Sequence, residues 1–444
     1  MNLEAIFKAY DVRGVYPDEL DEDAARRIGT AFARFAESPT VLVGRDMRVS
    51  SGPLAQAFIS GVNDAGVDAV DLGLVSTDLV YFASGDRSLP GAMFTASHNP
   101  AQYNGIKFCR AGAAPVGQDS GLSQIKALAT AGVDALPRRG SIERADLLGA
   151  FADHLLGLVK PDAMRPLTVV VDAANGMGGK VVPAVFDRLP FRLVPLYFEL
   201  DGTFPNHPAD PIQPSNLVDL QRAVLDEKAD IGLAFDGDAD RVFLVDEKTE
   251  LVSGSLTTAL VARRVLSGEP GATIIYNVIC SRVVREVIAE NGGNAVRSRV
   301  GHSFIKELMA TTGAAFAGEH SGHYYFRDNY RADSGLLAAL YILETMSLEG
   351  KTLSELLAPL RRYADSGEIN IEVDDQGRVI ERIAAAFADG SADRLDGLTV
   401  EYGDWWFNVR PSNTEPLLRL NVEANDETLL AERTEEIVKL IKEG

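Results

Sequence analysis

The chain has 444 residues, of which 46% are hydrophobic and 24% charged, with a formal net charge of −21. At roughly 150 residues per domain this length suggests about three domains, with two or four also admissible. So acidic a chain repels nucleic acid and anionic membrane, and any phosphate chemistry must use a local concentration of arginine and lysine.

The two cysteines, Cys109 and Cys280, rule out a disulfide framework and a thiolate zinc cluster. No apolar run approaches the roughly 20 residues needed to span a bilayer. The start, with Lys8, Asp11 and Arg13 close together, lacks the apolar centre of a secretory signal, so a cytoplasmic protein is expected.

Three segments open on a β-rich strand, Thr40–Val43, Thr168–Val171 and Thr273–Tyr276. Each continues through a turn into a helical pattern: Leu54–Asn63, Val181–Arg188 and Arg282–Glu290. Further strands follow, such as Ala69–Leu72 and Phe191–Leu196, and this alternation predicts an α/β fold with mostly parallel sheets. Each segment then reaches another apolar strand ending in a polar loop: Gly91–Pro100, Ile231–Arg241 and Ala314–His323. Loops past the carboxyl ends of parallel strands bind ligands in open α/β sheets, so three such loops predict one shared cleft.

After about residue 365 the pattern changes. Strands are expected at Glu368–Val373, Leu398–Tyr402, Trp405–Val409 and Leu417–Val422, with helices at Val379–Phe387 and Glu427–Lys442. The reading is three similar mixed-sheet α/β domains, 1–150, 151–255 and 256–365, plus a smaller C-terminal α+β domain, 366–444, around a central cleft.

Thr95-Ala-Ser-His-Asn-Pro100 offers a hydroxyl nucleophile, Ser97, beside the imidazole of His98. A neighbouring Ser–His pair is weak evidence, because adjacent side chains point apart; a polar turn capping the next element explains it equally well. Asn104-Gly-Ile-Lys107 adds a cation, expected across a tight turn. Asp236-Gly-Asp-Ala-Asp-Arg241 places Asp236, Asp238 and Asp240 at alternate positions past an apolar strand. Magnesium takes a few carboxylates plus a phosphate oxygen, and charges so close repel one another without a cation. An EF-hand would need glycine where Arg241 stands, and an aspartyl-phosphate phosphatase would have Thr or Val where Asp240 stands.

Those loops, with Gly318-Glu-His-Ser-Gly-His323 and Arg410-Pro-Ser-Asn-Thr-Glu-Pro416, occur in the order of the α-D-phosphohexomutase superfamily. The whole chain resembles its bacterial phosphomannomutase/phosphoglucomutase branch. That resemblance implies four domains about a cleft and a small-molecule sugar phosphate as substrate. Ser97 is then the phosphoryl carrier and, with Asp236, Asp238 and Asp240, a ligand of Mg2+. Hexose 1,6-bisphosphate is the implied primer.

By the same resemblance Arg13, in Tyr10-Asp-Val-Arg13, together with His98, Lys107 and Arg241, surrounds the transferring phosphate. Tyr10, His302, Glu319, Ser321 and His323 then read the sugar, and Arg410, Ser412, Asn413, Thr414 and Arg419 grip the phosphate not being transferred. Lys107, His302 and His323 are all candidates for the general base. One departure is Ile279, where relatives often carry lysine in Tyr-Asn-Val-x-Cys; Arg297 or Arg299 is a candidate replacement. His320, where phosphoglucosamine mutases usually carry glutamine, argues against that rival. A magnesium-dependent sugar phosphatase and a non-catalytic sugar-phosphate binder are rivals from different classes, and the sequence sets no oligomeric state.

Overall fold

Each of the three strand–helix–strand segments becomes an open sheet with one shared topology. In the computed structural model, which describes residues 3–132, 136–412 and 417–443, a central strand (Thr40–Arg45, Thr168–Asp172 or Thr273–Asn277) has parallel partners on both sides. One partner is reached through the first helix: Asp68–Leu74, Arg192–Leu196 or Asn294–Ser298. The other is Gly91–Phe94, Ile231–Phe235 or Phe316–Gly318.

That last strand reverses into an antiparallel one, namely Tyr103–Arg110, Val242–Asp246 or Tyr324–Phe326. The serine loop, the aspartate loop and the Glu319–His323 loop are these three reversals. They occupy one topological position because one repeated unit builds them. The strands Val12–Val15, Leu251–Val252 and Ala332–Asp333 close the three sheets, and the first sheet also takes in Ile142–Arg144 and Ala114–Pro115. The C-terminal sheet is antiparallel throughout, in the order Ala364–Glu372, Leu417–Ala424, Trp405–Pro411, Leu398–Glu401, Ser391–Asp393.

Most predicted elements are present with moved ends. The helix expected at Leu54–Asn63 runs Ser51–Asp64, and that expected at Val181–Arg188 runs Gly178–Phe186. The strand expected at Glu368–Val373 starts at Ala364, where a bulge between Asp365 and Glu368 carries a polar stretch without alternation. Helix starts follow side-chain caps: Ser281 accepts from Val283 N, and Asp426 from Leu429 N.

One continuous core runs through the first three units, joining Leu42 and Phe82 to Phe151, Val169 and Phe235, and these to Ile274, Phe316 and Leu340. The C-terminal sheet has a core of its own, built on Trp405, Phe407, Leu420 and Ile437. Each fully buried side chain of this kind contributes roughly 1.5–3 kcal/mol relative to leaving it exposed, so the first three units stabilise one another directly. The fourth is tied mainly by polar contacts: Arg282 donates to the carbonyls of Tyr402, Gly403 and Trp405, each at 3.1 Å. Among the described residues, no helix is long and apolar enough to cross a membrane.

Candidate active site

The reversal after Gly91–Phe94 puts Ser97 in the left-handed backbone region, φ 50°, with its N–H donating to Thr95 Oγ1 at 2.9 Å. Non-glycine residues enter that region at a cost, which aims the hydroxyl away from the usual direction for a strand end. Ser97 is 2% exposed. Its Oγ donates to Asp236 Oδ2 at 2.7 Å and accepts from Arg241 Nη2 at 2.9 Å. Gly237 makes this approach possible, because a Cβ there would lie 2.5 Å from the Ser97 carbonyl oxygen.

His98 Nδ1 lies 2.5 Å from Arg241 Nη2 and 3.4 Å from Ser97 Oγ. Arg241 and burial together hold this imidazole well below its ordinary pKa, so it sits neutral, a hydrogen-bond partner of the arginine. Lys107 is on the returning strand Tyr103–Arg110 rather than across the expected tight turn, and pairing with Met93 on the neighbouring strand sets its place. Arg13 reaches the same loop, donating to Asn99 Oδ1 at 3.1 Å and pairing with Asp11.

Asp236, Asp238 and Asp240 are all buried, each with a carboxylate oxygen within 4.8 Å of the others. Burial and the charges of Asp238 and Asp240 push Asp236 well above the usual carboxylate range, and burial and Asp238 push Asp240 up to about 6. Asp238 is held low in spite of burial by Lys107, whose Nζ donates to Asp238 Oδ2 at 2.7 Å and to Asp240 Oδ2 at 2.6 Å. Lys107 in turn keeps its proton: burial works against the charge, but the two aspartates outweigh it.

Asp238 Oδ1 and Asp240 Oδ1 are nonetheless buried without a hydrogen bond. Orphaned carboxylate oxygens in a triad that resists its own charge fit a hard divalent cation. Thr77, the first residue of the helix Thr77–Arg87, bonds Asp238 with its hydroxyl, and its N–H donates to the Asp238 carbonyl at 3.1 Å.

The third reversal is joined to the second. Arg241 and His323 form a β-bridge, and His323 Nε2 lies 3.8 Å from Asp240 Oδ1. Burial, then Arg241, holds His323 well below its ordinary pKa, and its Nδ1 is 3.0 Å from Ser321 Oγ. Glu319 receives Tyr325 OH at 2.6 Å, Asn277 Nδ2 at 3.1 Å and Gly301 N at 3.2 Å. Burial raises its pKa above the ordinary carboxylate value. Tyr10 and His302 meet across the first and third units, ring centroids 5.2 Å apart, and burial, then Lys306, lowers His302 to about 4.

In the C-terminal sheet Arg410 and Arg419 are cross-strand partners that bracket Glu368, at 2.6 and 3.4 Å. Ser412 N donates to Leu417 O at 2.9 Å; Asn413 and Thr414 lie outside the described residues. Arg297 pairs instead with Asp393 and Glu401, and Arg299 lies over the Phe304 ring at 4.3 Å. Arg297 therefore ties the third unit to the fourth.

Sequence reasoning missed Arg48, Thr77, Asn277, Tyr325 and the buried pair Lys306–Asp333, 2.8 Å apart. A usable signal existed for Arg48. Asp46-Met-Arg48 follows the carboxyl end of a parallel strand, where ligand loops gather.

Comparison with known proteins places the whole chain. Residues 4–134, 150–250 and 253–363 match the phosphoglucomutase/phosphomannomutase alpha/beta/alpha domains I, II and III, and residues 368–440 match the C-terminal domain of the same family. A phosphomannomutase from Salmonella montevideo is 41% identical, covering 99% of this chain and 100% of that protein. A protein named phosphohexose mutases, from Xanthomonas campestris pv. campestris, is 40% identical over 100% of both chains. The crystal structure of a phosphoglucomutase/phosphomannomutase family protein from Burkholderia thailandensis superposes with a TM-score of 0.91 at 36% identity, covering 100% of this chain and 98% of that one. Four matches in register and full-length similarity leave one assignment: this chain belongs to the phosphoglucomutase/phosphomannomutase family.

Proposed function

We propose that this chain is a phosphohexomutase that interconverts hexose 1-phosphate and hexose 6-phosphate, of mannose, glucose or both, with Ser97 as the phosphoryl carrier. The observation that carries the reading is the paired contact of the buried Ser97 Oγ, with Asp236 on one side and Arg241 on the other. A simple binder would need no such hydroxyl placed between a carboxylate and a guanidinium.

In the proposed cycle the phosphoserine P–O bond breaks as a sugar hydroxyl oxygen bonds to phosphorus, giving a bisphosphorylated hexose and free Ser97. The sugar turns end for end, and its other phosphoryl group then passes to Ser97. Arg13, Lys107 and Arg241 supply positive charge around the transferring group, as phosphoryl transfer requires. Asp236, Asp238 and Asp240, with Ser97, would hold Mg2+, which when bound neutralises charge on the phosphoryl group as it moves. Hexose 1,6-bisphosphate primes an unphosphorylated serine by the same step run from the bisphosphate.

The proton of the attacking hydroxyl needs a neutral base. Lys107, bonded to two carboxylates, is a fixed cation, whereas His323 beside Asp240 is neutral and takes this role in the proposal. His98 keeps Arg241 directed at Ser97. Glu319 and Ser321, with Tyr10 and His302, read hydroxyls common to either sugar orientation, while Arg410, Arg419 and the backbone around Ser412 grip the distal phosphate. The roles then divide by unit, with phosphoserine in 1–150, magnesium in 151–255, sugar in 256–365 and distal phosphate in 366–444.

The test is an assay of purified protein with magnesium and glucose 1,6-bisphosphate, on glucose 1-phosphate, mannose 1-phosphate and glucosamine 1-phosphate in turn. Conversion of the glucose or mannose ester to its 6-phosphate is expected. Release of inorganic phosphate without isomer would favour a phosphatase, and preference for the glucosamine ester would favour phosphoglucosamine mutase.

A further inference from the structure

Arg48 lies outside every motif that pointed to the site, yet its side chain is fully buried and its N–H groups are spent on the serine loop. Nη2 donates to the carbonyls of Ser97 at 2.8 Å and Asn99 at 2.6 Å. Nη1 donates to those of Pro100 at 2.8 Å and Tyr103 at 3.1 Å. Its Nε edge faces Asp46 Oδ2 at 3.3 Å, and Asp46 is itself fixed by the Ser51 hydroxyl at 2.5 Å.

The guanidinium carbon lies over the Phe204 ring, 5.0 Å from its centre, and Phe204 belongs to the second unit. There the backbones nearly touch: a Cβ at Gly202 would lie 2.4 Å from Arg48 Cα. On the other side Gly237 presses on the Ser97 carbonyl. That carbonyl is thus caught between Arg48 and the aspartate loop, and both partners are set by the seam between the first two units.

We propose that Arg48 is a positioning residue for phosphoryl transfer: its four-carbonyl grip holds Ser97 in the left-handed backbone well and so keeps Ser97 Oγ aligned with Asp236. The proposal rests on the reading of Ser97 as carrier. A serine in that backbone region is strained, and the strain persists only where the surroundings over-determine it. A planar fork with donors in fixed directions can do this; a lysine, one compact charge on a flexible stem, cannot reproduce it. Arg48 touches no reacting atom and acts through the loop alone.

The test compares Arg48→Ala, Arg48→Lys, Phe204→Ala and Ser97→Ala in the full chain with magnesium and hexose bisphosphate. It uses whichever hexose 1-phosphate the wild type converts. Displacing a reacting group by about 1 Å costs on the order of 100-fold, so Arg48→Ala should lose about that much kcat with KM changed less than about threefold. Guanidinium ion, at concentrations too low to denature, should restore part of the lost kcat of Arg48→Ala and none to Ser97→Ala. A merely structural role would lower the folded fraction without producing that rescue.

Should Arg48→Ala fail to fold, Arg48→Lys and Phe204→Ala carry the test, each expected to lower kcat about tenfold at unchanged KM. If the folded variants keep wild-type kcat while Ser97→Ala is dead, the positioning role is overturned and the carrier reading stands. If Ser97→Ala itself turns over at the wild-type rate, the carrier reading has failed and the positioning proposal falls with it.

Discussion

The two ends of the cleft handle charge in opposite ways. Around Ser97 the ionic groups are locked before any ligand arrives: Asp236, Asp238 and Asp240 are at most 1% exposed, and Lys107 and Arg241 already bond to them or to the serine. In the C-terminal sheet Arg410 and Arg419 share one carboxylate, Glu368, with the Arg410 side chain 6% exposed and that of Arg419 35% exposed. The first end sits in a core continuous over three units, the second on a sheet with a separate core. Preorganised charge stabilises a transition state, because no reorganisation is needed at the moment of reaction. Two arginines sharing a single carboxylate on a separately cored unit keep a net positive charge for binding and release. The contrast teaches that damage at the serine end should appear in kcat, and damage at the C-terminal end in KM.

The largest effect that sharpens this contrast is Ser97→Ala, which should lower turnover at least about 1,000-fold while leaving the melting temperature near wild type. Mass spectrometry of the purified protein should show loss of the phosphoryl group from the active-site peptide. Retention of substantial turnover would place the carrier elsewhere.

Asp240→Asn keeps the shape of the triad and removes one charge. It should lower kcat about 10- to 100-fold and raise the magnesium concentration giving half-maximal rate, as read from a magnesium titration of activity. An unchanged magnesium requirement would take the cation away from this loop.

Arg410→Met should do the reverse. Losing a charge-assisted contact to phosphate costs about 1.5–3 kcal/mol, or roughly 10- to 150-fold in KM, with kcat within about threefold. Steady-state kinetics on the preferred hexose phosphate decides it. A kcat loss at constant KM would break the contrast between the two ends.

The same contrast governs what the sequence revealed. The aspartate loop was legible because three carboxylates at alternate positions past an apolar strand have few structural uses, and the topology then supplied the neighbours. The three-fold repeat was legible as strand–helix alternation, although helix ends moved where backbone pairing and capping overrode side-chain pattern. Only the place of Arg48 past a parallel strand was legible; its role was not, because its four acceptors lie 49 to 55 residues away and are all backbone carbonyls, which leave no trace in residue type. Thr77 was hidden by distance, since the Asp238 carboxylate it bonds is 161 residues away. The fate of Arg297 was illegible too, since Asp393 and Glu401 become its partners only once the fourth unit docks.

The smallest effect concerns a buried carboxylate near the serine end that has hydroxyls for partners instead of a cation. Asp78 lies in the first turn of the helix whose first residue, Thr77, bonds Asp238. It accepts from Ser334 Oγ at 2.6 Å across the seam to the third unit, and from Ser76. Burial pushes its pKa from 3.8 up to about 7, over the opposing effect of the two hydroxyls. A folded value above the unfolded one means the folded protein keeps a proton that the unfolded chain releases between about pH 4 and 7. Stability from this group is therefore lost as pH rises through that window and changes little above it.

Asp78→Asn removes the ionisation while keeping the shape. Relative to wild type, the variant should gain about 2–3 kcal/mol between pH 5 and pH 8, a few degrees in melting temperature, with kcat little changed. Melting curves of both proteins at the two pH values measure it. Equal shifts at pH 5 and pH 8 would mean that Asp78 is ionised throughout, its two hydroxyls doing for it what Lys107 does for Asp238. The serine end would then tolerate a full negative charge without a cation, and the orphaned oxygens of the triad would lose their force as a sign of one.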